Sequence, residues 1–464
     1  MDAGAGPRRR VIGAAVIAAG ALAAAAHVGG DWTRFGYDAA RHNSGPAATG
    51  IGATSLASLK RQVVRLDGTI DSSPIYLRGV GGRDLFIVTT SYGRTEAIDA
   101  NSGARVWRYT PPGYASFAGS AQITNAAPVA DPSRTAVYAG APDGRVTKLS
   151  LADGKPLWST PITMDPTHEK LASALNFADG AVLATTGGYY GDAPRYQGHV
   201  VALAPASGRI VHVWNALCSS RAAIIRPSSC GASDAAIWAR AGAVVVPGSG
   251  ELLVATGNGR FDGRADWGDS VLALSPALQL RRSWTPANAR KLEESDADLG
   301  SSAPALLAGG YAVQGGKDGK LRLLRVAQLG GRLGATGGEL QTVDLPGPEG
   351  LYSAPAVWLG TWVFVANGAG TQAWRLNGDR LRLVWQNGAH GTSPVVAGGL
   401  LYVYNQDDGG LNVYAPGSGR RLATLPSGSG HWQSPIVTDG RIALPEGNAN
   451  DHRTSGVLNV YRLA

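Results

Sequence analysis

A short unit recurs eight times along the chain: one or two small residues, a proline, then apolar residues. It reads SSPIY at Pro74, AAPVA at Pro128, SAPAL at Pro304, SAPAV at Pro355, TSPVV at Pro394 and QSPIV at Pro435, with weaker copies SALNF at Leu175 and AAIWA at Ile237. Successive starts lie 54, 47, 62, 67, 51, 39 and 41 residues apart. A period of this length marks an array of supersecondary units, none able to bury its apolar face alone.

A second motif completes the unit. AIDANSGARVW ends at Trp107, KLSLADGKPLW at Trp158 and ALAPASGRIVHVW at Trp214. Each is a strand, a glycine-containing turn and a strand closing on Trp. NVYAPGSGRRL near Tyr414 repeats the pattern without Trp, and Trp284 and Trp385 close looser copies. Glycine, 65 of 464 residues, is about twice its usual share and sits in turns rather than in a collagen-like period. The reading is all-β: an eight-bladed β-propeller of four-stranded antiparallel blades. The trailing Trp is a plate that docks one blade on the next. Strand-like KRQVVRLDG near the start and GVLNVYRLA at the end predict ring closure by pairing of the N- and C-terminal strands, which removes an exposed edge.

Strand order decides where function sits. The loop leading into each blade and the loop between its second and third strands must lie on one face. That face collects TTGGYYGDAPRYQG, ESDADLGS, GGKDGK, NGAHGTS and SGHWQS. One loop is unusually long: between strand-like LLVA and SVLAL the chain runs from Gly257 to Asp269, where a plain hairpin needs about two to five residues. Polar and aromatic loop residues on a rigid scaffold are where binding is expected. The expected partner is a small molecule or protein at this top face.

The first 26 residues stand apart. Arg8 to Arg10 precede an apolar run from Val11 to Ala26 ending in small residues, the order of an export signal. The run is short for a membrane span of roughly 20 residues. The expected organisation is a signal peptide, or an uncleaved anchor, over 1–26 and a single propeller domain over 27–464. The mature form should begin near His27 and be periplasmic, cell-surface or secreted; N-terminal sequencing of exported protein checks this, and an intact Met1 would refute it. Any membrane contact would run through an uncleaved N-terminal segment. Losing three Arg and one Asp lowers the formal net charge from +8 to +6. The basic residues are scattered, so nucleic-acid binding has no support. Cys218 and Cys230 are the two cysteines, and a disulfide between them suits an exported chain.

AIDANSGARVW resembles the Ala-x-Asp-x-x-(Thr/Ser)-Gly-x-x-x-Trp repeat of the quinoprotein superfamily, eight-bladed propellers built from pyrroloquinoline quinone (PQQ) repeats. DWTRFGYDAARHNSGP is similar to that family's opening segment. The superfamily includes alcohol, polyvinyl-alcohol and sugar dehydrogenases as well as non-enzymatic scaffolds. Within the resemblance, ATGN carries the Asn that coordinates Ca²⁺, here Asn258; DADLGSSAP carries the catalytic Asp, here Asp298, also placed near the metal; GGKDGKLRLL carries the cation that bonds the quinone oxygens, here Lys317; and Trp238 is the stacking floor for PQQ. The implied chemistry is a Ca²⁺ Lewis acid on the quinone carbonyl, an Asp base taking the alcohol proton, and a cation stabilising the reduced ring. Two departures stand against it. The Glu ligand to Ca²⁺ belongs in TTGGYYGDAP, where Tyr189 and Tyr190 stand and Asp192 is the nearest carboxylate. The adjacent Cys pair that often covers PQQ is absent, as is any Cys-x-x-Cys-His haem site. The resemblance implies an exported binding or scaffold propeller with a partly degenerate site; the alternative is a PQQ-dependent dehydrogenase acting on an alcohol, polyol or sugar with an external electron acceptor.

Overall fold

The computed structural model describes residues 1–2, 29–193, 195–330 and 335–463. The expected signal segment falls almost wholly outside these residues. No helix among the described residues is long and apolar enough to cross a membrane.

Eight four-stranded antiparallel sheets follow one another around a ring. Seven blades are continuous in sequence. The eighth takes three strands from the C-terminal end and its outermost from the N-terminal end, as Leu59–Leu66 pairs antiparallel with Gly456–Leu463 from Leu59↔Leu463 to Leu66↔Gly456. The ring is closed by main-chain hydrogen bonds, and the pairing leaves no free terminal edge.

First strands begin at Ile75, Val129, Asn176, Val244, Ala305, Ala356, Val395 and Ile436. At each of the six prolines the strand starts one residue later. The weaker copy at Leu175 also marks its strand, but the copy at Ile237 does not. Blade four starts at Val244, and the motif there is AGAVV. Ile237 belongs to the loop leading into that blade: its N–H donates to the Thr186 carbonyl at 3.0 Å, and its carbonyl accepts from Ser173 Oγ at 3.1 Å. An apolar pentapeptide buried at a blade junction carries the same pattern as a strand.

Three of the closing tryptophans dock blades through hydrogen bonds, while Trp214 and Trp284 are buried with Nε1 unpartnered. Trp107 Nε1 donates to the Leu151 carbonyl at 2.9 Å, Trp158 Nε1 to Pro205 at 2.9 Å and Trp385 Nε1 to Pro416 at 2.7 Å. Each acceptor lies at the last hairpin of the following blade, and the ring lies flat on that hairpin's glycine. A methyl on Gly154, at φ +71°, would sit 2.5 Å from a Trp107 ring carbon. Gly154→Ala should therefore cost about 2–3 kcal/mol, through overpacking added to left-handed strain. Gly180 shares φ +71° but has nothing within 4 Å, so Gly180→Ala should cost only the strain, about 1 kcal/mol. Paired thermal melts check this, and equal losses would refute the docking role.

The segment after Gly29, similar to the family's opening segment, also ties the blades together. It crosses the axis beneath the first strands and bonds to them in turn. Trp32 bridges Tyr76, and the N–H groups of Ala130, Val245, Val357 and Val396 donate to the carbonyls of Thr33, Ala39, His42 and Asn43. Arg34 reaches Asn176 Oδ1 and the Phe177 carbonyl. Phe35 is fully buried and packs in the central core with Ala40 and a set of small residues, Ala127, Ala174, Ala239, Ala303 and Ala354, from the lead-in loops. The segment plugs the channel from below and leaves the loop face above it.

Candidate functional site

The blades repeat, so equivalent loop positions form rings around the axis. Four residues before each first strand stand Asp71, Asn125, Ala172, Arg240, Ser301, Tyr352, Gly391 and Trp432. Contacts across the channel confirm the ring. Arg240 donates from Nη1 to the Ala172 carbonyl at 3.1 Å and from Nη2 to the carbonyls of Asp71 at 2.8 Å and Asn125 at 3.2 Å. The Asp71 carboxylate meets His431 Nδ1 at 2.6 Å, Asn125 Nδ2 at 3.0 Å and the Trp432 N–H at 3.0 Å. Burial alone would raise the Asp71 pKa, but His431 and then Arg240 hold it down to about 2. Among these ring residues, sequence reading singled out none. Their signal was the proline repeat itself, since Asp71, Asn125, Tyr352 and Trp432 each stand three residues before one of its prolines.

Beside this ring the structure brings together Asn258, Asp298 and Lys317. Asn258 follows the second strand of blade four (Leu252–Ala255), Asp298 leads into blade five, and Lys317 follows that blade's second strand (Tyr311–Gly315). The Asn258 N–H donates to Asp298 Oδ1 at 2.7 Å, and Lys317 Nζ lies 2.5 Å from Asp298 Oδ2. A fourth residue, Asp296, was missed: its Oδ1 accepts from Asn258 Nδ2 at 2.8 Å and from Lys317 Nζ at 3.1 Å. Burial would discharge Lys317, but Asp298 first and then Asp296 raise its pKa above that of a free lysine. Burial lifts Asp298, and Lys317 offsets this only in part. Gly257 makes the approach possible, since a methyl there would fall 2.0 Å from Asp298 Oδ1.

Trp238 stands at the same rim, with Lys317 Nζ 5.7 Å from its ring centroid. It is not an open platform. Trp432 lies 5.7 Å away at 37°, Tyr352 6.2 Å away at 48°, and His431 stacks on Trp432 at 4.0 Å.

The long loop from Gly257 to Asp269 is mostly structural. Asp262 Oδ1 accepts from the N–H groups of Arg264, Ala265 and Asp266. Asp266 Oδ1 accepts from the Cys218 N–H at 3.0 Å, and Trp267 Nε1 donates to Ser219 Oγ at 3.1 Å. The loop thus docks on the segment closed by the Cys218–Cys230 disulfide, whose Cα atoms are 6.1 Å apart. At its end Asp269 Oδ1 accepts from the Leu299 N–H at 2.9 Å, while Oδ2 is buried without a partner. Burial, with Asp298 adding to it, raises the Asp269 pKa to about 8. A raised folded-state pKa gives stability that is complete below the unfolded value near 4 and lost as pH climbs through about 8. The protein should therefore lose stability between about pH 4 and 8, and Asp269→Asn should flatten that slope. Melting temperatures across the range check this, and identical slopes would refute it.

Neither PQQ nor calcium fits these side chains as they stand. Asn258 Oδ1 is buried without a partner and could face a cation. Both Asp298 oxygens, however, are engaged, one by a main-chain N–H and the other by an ammonium. Tyr190 is 93% exposed, the Tyr189 hydroxyl donates to the Pro166 carbonyl, and the exposed Asp192 accepts from the Tyr196 hydroxyl at 2.8 Å. No group of three His, Cys, Asp or Glu among the described residues is arranged to hold a metal ion, and Ca²⁺ takes 6–8 oxygens. A planar ring between Trp238 and Trp432 would need about 7 Å, twice a van der Waals contact.

Residues 63–228 match a PQQ-repeat family described as outer membrane protein assembly factor BamB. A quinohemoprotein alcohol dehydrogenase, ADH IIB of Pseudomonas putida, is 28% identical over 188 residues, 38% of this chain and 25% of that enzyme. The match therefore spans a quarter of the curated relative's length. Among solved structures, quinohemoprotein alcohol dehydrogenase from Comamonas testosteroni superposes with a TM-score of 0.70 at 16% identity, covering 93% of this chain and 80% of the other. A europium-containing methanol dehydrogenase gives 0.68 at 14%, covering 94% and 98%. BamB from Moraxella catarrhalis gives 0.56 at 14%, covering 87% and 97%. With the eight closed blades and their Trp-docked hairpins, these likenesses show a PQQ-like, quinoprotein-type β-propeller fold, with the family's repeat matched over residues 63–228.

Proposed function

We propose that the protein is an exported binding or scaffold propeller whose quinoprotein-type site is held shut by its own side chains. The observation that carries this reading is the Lys317–Asp298 contact at 2.5 Å. The cation and the base that a redox centre would use are spent on each other, and Trp432 crowds the floor at Trp238. The match to an assembly-factor family supports a non-enzymatic role, and the Cys218–Cys230 disulfide suits an oxidising compartment.

A second reading, a PQQ-dependent dehydrogenase of an alcohol, polyol or sugar, is favoured by one observation. Asn258, Asp298 and Lys317 share a single cluster with the Asn258 Oδ1 oxygen unpartnered. Dye reduction with a primary alcohol, PQQ and Ca²⁺ separates the two. A binding propeller gives no turnover above blank, and Asp298→Asn changes nothing. Turnover that falls about 10²–10⁴-fold in Asp298→Asn, the usual effect of losing a general base, would establish the dehydrogenase.

A further inference from the structure

Beside the ring's Arg240 and Asp71 stands a second cation. Lys170, in the loop leading into blade three, is 7% exposed. Its backbone is fixed by a reciprocal pair with Gly187, at 2.7 and 2.9 Å. Its ammonium, however, makes no hydrogen bond and has no carboxylate oxygen within 4.0 Å among the described residues. The one carboxylate nearby is Asp71, which already serves His431, Asn125 and the main chain. Arg240 stands close enough to depress Lys170, and burial with Arg240 brings its pKa to about 8 although Asp71 opposes them. The Lys170 ammonium is not among the fully enclosed unpartnered atoms, so it keeps a path to the channel and is open to an anionic partner there. A second loose end lies in the same ring. Asn125 Oδ1 is buried and accepts nothing, although its Nδ2 is bound to Asp71 and its carbonyl to Arg240.

We infer that the propeller axis binds a small hydroxycarboxylate, with Lys170 pairing its carboxylate and Asn125 Oδ1 accepting from its hydroxyl. This deepens the binding reading above and rests on it. One uncommitted cation selects a single negative charge, and an orphaned acceptor selects a ligand that also donates. Arg240 crosses the channel to three other blades, and Trp432 stands 5.7 Å from Trp238. Both narrow the channel, which favours a ligand of a few heavy atoms over fused rings. At the rim Trp238 and Trp432 are partly buried and Tyr352 is exposed.

Titration calorimetry of the full-length protein with sodium glycolate, without PQQ or Ca²⁺, tests the inference. Saturable binding is expected, about 3–10-fold weaker for acetate, which lacks the hydroxyl, and undetectable for ethylene glycol, which lacks the charge. Lys170→Met should abolish binding and leave the melting temperature unchanged or raised, while the exposed Lys155→Met should bind as the parent does. The inference falls if glycolate shows no saturation, if chloride binds as tightly, or if Lys170→Met binds normally. A melting temperature lowered by several degrees in Lys170→Met would make Lys170 a structural partner and also overturn it. Dye reduction reads the redox chemistry alone, so the two experiments can fail separately.

Discussion

Replacing Arg240 by alanine should destabilise the propeller by about 3–5 kcal/mol, the range for removing one partner from a buried polar network. Its guanidinium joins blade four to the carbonyls of blades one, two and three and lies 5.5 Å from the Trp432 ring. Alanine would leave three buried carbonyls without a donor, each costing about 1–3 kcal/mol unless water enters. It would also remove a cation that holds the Asp71 pKa down. Thermal melts followed in the far and near ultraviolet check this. The near-ultraviolet signal should suffer most, because Trp432 loses its neighbour. An unchanged melting temperature would show that the ring does not tie the blades together.

Removing residues 29–46 should do more than shift a melting curve. The segment buries Trp32, Phe35, Ala40, Arg41 and Asn43 and bonds to the first strands of blades one, two, three, four, six and seven. Burial of Trp32 and Phe35 contributes about 2–3 kcal/mol each, and each hydrogen bond about 1 kcal/mol. The total approaches the whole stability of a typical domain, about 5–15 kcal/mol. The truncated chain should therefore aggregate or lack a cooperative transition. Phe35→Ala gives a graded version, with an expected loss of about 3–5 kcal/mol. A soluble truncated protein melting like its parent would refute the plug.

The blades were legible because the same physics repeats. A proline cannot donate to a ladder, so it sits at the head of six of the eight inner strands, and the Trp-on-glycine docking leaves a fixed spacing. Blade four escaped because Val244 has no proline before it and Ile237 imitates a strand. Convergence of Asn258, Asp298 and Lys317 followed from blade geometry. What they do to each other did not, because an internal ion pair depends on tenths of an ångström that no spacing encodes. Asp296, Arg240 and Lys170 were hidden for the same reason. Each is one polar residue among many in a loop until its partners are known. The plug has no period at all, and its role appears only once the channel it fills exists.

A quinoprotein-type site closed by its own residues should exclude the cofactor. Equilibrium dialysis of the purified protein against PQQ with Ca²⁺, followed by absorbance of the retained quinone, tests it most directly. The closed site is expected to retain no PQQ above a control protein, with or without Ca²⁺. Stoichiometric retention that needs Ca²⁺ and is lost in Lys317→Met would contradict it.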